Sequence, residues 1–593
     1  MPRLGHRMRL GIFCEFAGLL FAWGVSASVG GEVVHASRWI AGDAAIYLEL
    51  SQPSPLLDRL LTEKYQNALT AVPGYERYTE SEAYKKAVAE LARASEKLGT
   101  TWQQGLRDLT AGGIVLAVEG EPGKSTRSIL IVTPSDPAFL TRANQTLLEM
   151  ARENAESKQK ADPIKSAEYR GVTGYELGKG AYAIVEGKLV FADRSKTLKL
   201  VVDRVLDGAK AGASLADDAN WIARRTQAGD RQAWGVVRLD RLRELDPKRF
   251  AFQGDPNPAA TFLFGSWLEA IRKADWALAA LSWTDAGLGA ELTLPTPSAG
   301  YPEALKGFVP PKGRGVKKPV NPPGTIASLS LWRDLSSIWE ARADLFPPEV
   351  VQGLAKLDGV AGQFFGGRDF GTGVLGALGE EWRLVVARQD HSNLKPVPDM
   401  KLPAFALIVD LKPGGDDDLP QRLKVAFQSI VGVINVGGVQ SKSPPLELGS
   451  ETIEDVTIST ARFMLPKAPL DAKEPVHSRH NFSPSIAQVE NRFILSSSVG
   501  LARDLIQSFK SPAKPEDTTL LIEADGRELA DLVEINKTRL VMQNMLEKGH
   551  DKTQAEHEIS VLTQVLRYLG LARLSVQDSV EDLRLKLNLD LGK

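Results

Sequence analysis

Residues 183–191 read Ala-Ile-Val-Glu-Gly-Lys-Leu-Val-Phe, and residues 487–495 read Ala-Gln-Val-Glu-Asn-Arg-Phe-Ile-Leu. Gly187 and Asn491 hold the same place in the two stretches, and both residue types tolerate the positive φ that a tight turn between twisted strands demands. Each stretch therefore reads as strand, turn and buried strand. A helical pattern follows both. Leu198, Val201, Val202, Val205 and Leu206 recur at i, i+3, i+4, i+7 and i+8 before Gly208, and Leu501, Ala502, Leu505, Ile506 and Phe509 keep that rhythm.

Further landmarks recur in the same order. Residues 278–285 (LAALSWTD) match residues 571–578 (LARLSVQD) at Leu, Ala, Leu, Ser and Asp. Alternating leucines follow both, at Leu292 and Leu294 and at Leu585 and Leu587, so each half is expected to close with a hairpin. Segments 45–50, 114–118 and 129–133 read as strands that pair in order with 325–331, 382–387 and 405–411. Spacing drifts between the copies, which places insertions in loops. One inserted helix is expected in the first copy, with Thr79 to Glu82 as a capping box, Tyr84, Val88, Leu91 and Leu98 on one face, and Gly99 as its stop.

Hairpins mixed with helices, without strict strand–helix alternation, predict an α+β fold in two similar halves, each a mainly antiparallel sheet with packed amphipathic helices. The expected organisation is a signal peptide at 1–36, a first copy at 37–300, a Pro-rich basic linker at 301–324 and a second copy at 325–593. The linker rests on Pro302, Pro310, Pro311, Pro319, Pro322 and Pro323, which resist helix and central strand. Its basic residues, Lys306, Lys312, Arg314, Lys317 and Lys318, read as a solvated charge run.

The block YRGVTGYELGKGAYAIVEGKLVFADRS at residues 169–195, followed by an amphipathic helix, resembles a planctomycete-type family of exported bacterial proteins of unknown function. The resemblance implies export and a duplicated α+β domain. It supplies no site residues.

The chain has 593 residues, too many for one core, and its 43% hydrophobic and 25% charged residues are those of a globular protein. Formal net charge is −2, so no general excess of cations is present to hold a nucleic acid. No apolar run after residue 30 reaches the roughly 20 residues a membrane span requires, which excludes multi-span insertion. Arg3, Arg7 and Arg9 precede an apolar stretch from Leu10 to Val25, the order of a secretory signal. Small residues place cleavage after Ala27 or after Ala36, and Glu15 within the stretch leaves an uncleaved N-terminal membrane anchor as the alternative. The sole cysteine, Cys14, lies in this stretch, so a cleaved chain is cysteine-free and without thiol chemistry.

Catalytic and metal motifs fail on context. Gly123-Lys124-Ser125 lacks the first glycine of a phosphate loop and joins two strands. Residues 371–376 fit G-x-G-x-x-G, but a strand follows rather than a long helix, so a flexible loop is expected. His477 with His480, and His550 with His557, are incomplete zinc sets. Ser157 and Lys160 match S-x-x-K in a solvated helix end, and Asp416, Asp417 and Asp418 lack calcium-loop spacing. Glu380 and Glu381 are adjacent in a strand and point to opposite faces. Trp267, Trp276, Trp283, Trp332, Trp339 and Trp382 read as core.

No catalytic, cofactor or metal residue is assigned, and no cofactor is expected. The sequence supports an exported, non-catalytic binding or scaffolding component of the envelope, with an unnamed protein or envelope component as partner. The alternatives are a secreted hydrolase built from dispersed carboxylates and histidines, and a carrier of an apolar ligand.

Overall fold

The computed structural model describes residues 36–62, 75–250, 257–285, 287–297, 300–365, 367–394, 396–412, 418–440, 444–464, 476–509, 516, 518–579 and 581–591. The signal segment with Cys14 and Ala27, and Asp416 and Asp417, lie outside them. The chain forms two compact units, the first made of residues up to 251 with 274–285 and 289–293, the second of 252–273, 286–288 and 294–593.

The first unit is built on β1 (Ile46–Leu50), β2 (Ile114–Glu119), β3 (Arg127–Val132), β4 (Ser166–Tyr169), β5 (Val172–Leu177), β6 (Gly180–Val185), β7 (Lys188–Ala192), β8 (Ala233–Arg238), β9 (Trp276–Thr284) and β10 (Gly287–Pro295). They pair in the order 4-5-6-7-3-2-1-8-9, every pair antiparallel, with β10 beside β9. Its helices include α1 (Glu82–Leu98), α2 (Pro137–Glu156), α3 (Ser195–Asp207) and α4 (Ala219–Ala228). One face of the sheet packs Ile129, Ile131, Ala183 and Val190 against Leu198, Val201 and Val202 of α3, the apolar stripe the sequence predicted. The charge of Glu119, fully buried, is met by Arg204 of α3 through two bonds of 2.6 and 2.9 Å and by the Ala41 amide at 2.8 Å. The N-cap of α1 is Ser81 rather than Thr79: the Ser81 hydroxyl accepts from the Tyr84 amide at 3.2 Å, and Gly99 ends the helix at φ 66°.

The second unit contains β11 (Thr325–Trp332), β12 (Leu378–Ala387), β13 (Ala404–Leu411), β14 (Leu446–Ile453), β15 (Val456–Phe463), β16 (Ser485–Val489), β17 (Arg492–Ser496), β18 (Leu520–Asp525), β19 (Leu571–Asp578) and β20 (Asp582–Leu589). Their antiparallel order is 14-15-16-17-13-12-11-18-19-20. Raised by ten, the strand numbers of the first unit give this order. Its helices include α5 (Pro258–Lys273), α6 (Pro348–Phe364), α7 (Leu419–Gln440), α8 (Val499–Ser508), α9 (Gly526–Ile535), α10 (Lys537–Lys548) and α11 (Lys552–Tyr568). As α3 does in the first unit, α8 lays Leu501, Ala502, Leu505 and Ile506 on Val385, Ala406, Ile408 and Ile494. The hairpin turns differ in detail. Glu186 and Gly187 are both at positive φ, whereas in the second unit Glu490, not Asn491, takes the left-handed conformation.

Two expectations are corrected. The boundary at 300 put residues 258–273 in the first copy, whereas they form α5 and belong to the second unit. Residues 301–324 are not a solvated linker: Leu305 and Phe308 of a short 3-10 helix and Val316 are buried, because they offer apolar surface that the prolines leave free to pack. One basic residue of this segment is drawn in as well, while Lys312 and Arg314 stay exposed. Lys317 binds Glu381 and Asp410, each at 3.1 Å, and Asp410 also holds the buried Arg383.

A buried polar clamp explains why these pieces join the second unit. Arg333, 1% exposed, donates to the carbonyls of Leu263 in α5, of Phe308 and of Trp332, and lies against the Trp267 and Phe308 rings. Beside it, Asp578 accepts from Ser266 of α5 at 2.7 Å and from Tyr301 at 2.8 Å. Burial pushes the Asp578 carboxyl up to about 6, outweighing the hydroxyl donors and Arg333, which act to lower it. Its proton is thus held more tightly in the folded chain than in the unfolded one, so its contribution is largest below about pH 4 and is lost as pH rises through 6. Asp578→Asn should therefore be more stable than the parent at pH 7, by about 3 kcal/mol at most, and the difference should vanish near pH 4. Urea unfolding of both chains across that range checks it, and a pH-independent difference would refute the assignment.

Candidate functional site

In an antiparallel sheet with one wet face, apolar side chains point inward and polar ones outward along each strand. The central strands of the second unit depart from that pattern. On β12, Arg383, Val385 and Ala387 are buried while Leu384 stands 37% exposed. On β13, Ala404, Ala406 and Ile408 are buried and Phe405 is 52% exposed; on β17, Ile494 is buried and Leu495 is 45% exposed. The outward positions are as greasy as the inward ones.

Register aligns these outward residues into a row. Leu495 faces Leu407, Leu407 faces Leu384, and Leu384 faces Leu329. The row continues from Leu329 to Ile522, to Leu574 and to Leu587. It crosses the strands from β17 to β20, a span of about 29 Å at the usual interstrand spacing. None of its members is fully buried. Along one side stand Val409, Phe493 and Trp382, packed in the core beneath α7. Along the other stand Phe405, Val386, Ala327, Ala524 and Ala572, each facing the next. The row is one residue wide along each strand and is called the apolar trough below. Leu384, Phe405 and Leu495 alone leave roughly 250 Å² of apolar surface in water, worth about 6 kcal/mol if covered.

A second apolar surface lies on α7. Leu419, Ala426, Phe427 and Val431 are buried, while Val425, Ile430, Val433, Ile434 and Val436 are between 45% and 74% exposed. No described helix is long and apolar enough to cross a membrane.

Residues singled out by sequence do not converge. Lys124 sits in the hairpin between β2 and β3, bound to Glu121 at 2.5 Å. Residues 371–376 form a tight π turn and a 3-10 turn, not a flexible loop: a side chain at Gly371 would meet Trp339 at 2.2 Å. The Nδ1 of His477 accepts from the Arg479 amide at 3.1 Å, and His480 is lowered by burial and by Arg479. His550 binds Asn544 at 3.0 Å and Glu558 at 3.2 Å, and His557 is exposed. Among the described residues no group of three His, Cys, Asp or Glu is placed to hold a metal ion. Ser157 and Lys160 are exposed at the end of α2, Asp418 lies 3.6 Å from Arg422, and Glu380 and Glu381 face Lys412 and Lys317 separately. Trp267, Trp332 and Trp339 are core residues; Trp276, Trp283 and Trp382 are half-buried. Sequence reasoning missed the buried His391, whose Nε2 meets Asn481 Oδ1 at 3.2 Å and which burial lowers. It also missed the trough.

No family model and no curated protein matches the chain. Among solved structures, crystal form I of TP0453 aligns at a TM-score of 0.24 and 12% identity, over 46% of this chain and 82% of that one. Crystal form III aligns at 0.23 and 12%, over 47% and 84%. Scores this low carry no argument about fold or function.

An open row and a buried row predict different mutational costs. Leu384→Gln and Leu495→Gln should each change the stability of the full chain by less than about 1 kcal/mol, because water already reaches both positions. Ile408→Ala and Ile494→Ala, on the covered face, should each cost about 2–5 kcal/mol. Equal losses at all four positions in urea denaturation would mean that the trough is closed.

Proposed function

We propose that the protein is a non-catalytic, extracytoplasmic binding component whose second unit takes up an extended apolar ligand, an acyl chain, along the trough. One observation carries the proposal: seven outward apolar side chains in register, none of them fully buried. Soluble proteins rarely leave contiguous apolar surface without a use for it. The width favours a hydrocarbon chain over a protein surface, since protein interfaces are broad patches of about 800 Å² per partner. The exposed valines and isoleucines of α7 suit contact with the lipid surface from which such a ligand would come. We infer too that the units descend from one doubled module, supported by their shared strand order.

Native mass spectrometry should find a lipid or fatty acid bound to protein purified without detergent, and a fluorescent fatty acid should bind with one-to-one stoichiometry. Leu384→Gln combined with Leu407→Gln should weaken that binding at least tenfold with the melting profile retained. Absence of probe binding by delipidated protein, or concentration-dependent dimerisation abolished by the same double variant, would reject the acyl-chain assignment.

For export, the surroundings of Ala36 favour cleavage after Ala27. Ala36 and Ser37 are buried in a 3-10 turn that continues into Trp39 and Ile40 of the first core. An α-ammonium created at Ser37 would be desolvated without a partner, at a cost of several kcal/mol. N-terminal sequencing of the secreted chain should therefore begin at Ser28; a start at Ser37 would contradict this packing.

A further inference from the structure

Strand β14 is the outer edge of the second sheet: among the described residues it pairs with β15 alone. Its eight residues, LELGSETI, keep an unbroken antiparallel register from Leu446 opposite Phe463 to Ile453 opposite Val456, and the two-residue turn Glu454-Asp455, both at positive φ, closes the hairpin. A turn of this length is closed by a hydrogen-bonded pair, so the N–H and C=O of Ile453, and of every second residue before it, point at β15. Those of Leu446, Leu448, Ser450 and Thr452 point away from the sheet.

Leu446 shows what this edge accepts. The side-chain amide of Asn435 in α7 donates to the Leu446 carbonyl at 2.9 Å and accepts from the Leu446 N–H at 2.7 Å, the two bonds a neighbouring strand would make. The backbone groups of Leu448, Ser450 and Thr452 have no partner among the described residues, and all three residues are exposed. Native sheets guard free edges by shortness, proline, bulges or charge. The matching edge of the first unit is short, β4 having four residues to the eight of β14. Strand β14 has neither proline nor bulge, and its carboxylates are met by arginines: Glu451 takes bonds of 2.5 and 2.6 Å from Arg503, with Arg462 at 3.7 Å, and Glu447 stands opposite Arg462.

We propose that this edge joins a second copy of the chain, β14 against β14, antiparallel about a twofold axis at Ser450. Of the symmetric registers, this one uses all three free residues: Ser450 pairs with the partner's Ser450, and Leu448 with the partner's Thr452. An axis at Leu448 or Gly449 would set a free residue against Leu446, whose bonds Asn435 already holds, and an axis at Glu451 or Thr452 would set one against the turn. Charge agrees with the register. Glu451 falls opposite the partner's Gly449 and Glu447 opposite the partner's Ile453, so no carboxylate directly faces another. The joint is an edge rather than a broad face, smaller than a standard stable interface, so the dimer dissociates on dilution. It is independent of the acyl-chain reading, because Leu384 and Leu407 lie on strands that do not pair with β14.

Sedimentation velocity of the secreted chain from about 1 to about 100 μM tests it, the range over which a micromolar association fills. The chain should pass from monomer to dimer. Ser450→Pro removes the central donor without breaking a hydrogen bond within the chain, and should leave a monomer throughout. Gly449 has room for a side chain, its nearest neighbour being the Thr460 methyl at 3.7 Å, and it reads the register. Gly449→Glu, set against Glu451 twice by the symmetry, should weaken the dimer about fivefold, and Gly449→Lys should strengthen it by a like factor. A chain that stays monomeric at the highest concentration overturns the proposal. So does a dimer that survives Ser450→Pro in a natively melting chain, or one whose affinity is the same in the Gly449→Glu and Gly449→Lys variants.

Discussion

A strand turns successive side chains to opposite faces, so a sheet whose strands are apolar at every position must be covered twice or remain partly wet. The second sheet meets this constraint on one face with α8 and meets it only in part on the other. Segments such as Ala404–Leu411, AFALIVDL, carry no outward polar residue at all, since Asp410 lies on the inward face with Arg383. Everything placed around that sheet answers the same requirement. Helix α7 covers Val409 and Phe493, and the residues around Phe308 and Val316 cover the Trp332 end.

Covering a sheet with segments distant in sequence brings polar backbone and charged side chains into the core, and they must be bonded there. Arg333 is placed for this work. Its guanidinium spans three carbonyls from different parts of the chain, while Asp578 receives the hydroxyls of Ser266 and Tyr301. Lys317 and Arg383 do the same where the proline-rich segment meets β12 and β13. A Pro-rich, Lys-rich stretch thus becomes part of a core once one of its cations finds buried carboxylates and its few apolar residues find cavities. Composition alone, averaged over 301–324, hides both.

Many strands, and their succession along the chain, were legible because period and turn chemistry are local; their order within each sheet was not. The hairpin at Glu186-Gly187, the stripe of α3, and the pairing of LAALSWTD with LARLSVQD all follow from near neighbours in sequence. One more match was available in the same terms: Arg170-Gly171-Val172-Thr173 and Glu454-Asp455-Val456-Thr457 both turn through two residues of positive φ. Membership of α5 was not legible, because it depends on Ser266 meeting Asp578 more than 300 residues away. Nor was the trough. A run such as Leu-Val-Val-Ala in β12 announces two apolar faces, but whether a helix arrives to cover the second is decided by loops whose reach the sequence does not state.

The same row exists in the first unit, and its different fate shows where the units part. Across β1, β2, β3, β7 and β6 it reads Leu48, Leu116, Leu130, Phe191 and Tyr182. Leu130 is buried, and the rings of Tyr175, Tyr182 and Phe191 lie 5.1 to 5.5 Å apart in sequence along the row. Tyr182 then donates through its hydroxyl to Asn144 of α2 at 3.0 Å, which ties the helix down on the row. In the second unit the positions of Phe191 and Tyr182 are taken by Leu495 and Ile486, aliphatic side chains with no hydroxyl to tether a helix. Aromatic stacking and one hydrogen bond cover the β3–β7–β6 end of the first row, while Leu48 at its β1 end is 40% exposed; the second row has no such cover at Leu495. The buried aromatic cluster of Tyr47, Trp221 and Trp234, in turn, distinguishes the first unit: where Tyr47 and Trp234 stand on β1 and β8, β11 and β18 place Ser328 and Leu521. The two units thus share a strand order and differ, at a handful of positions, in the side chains that cover it.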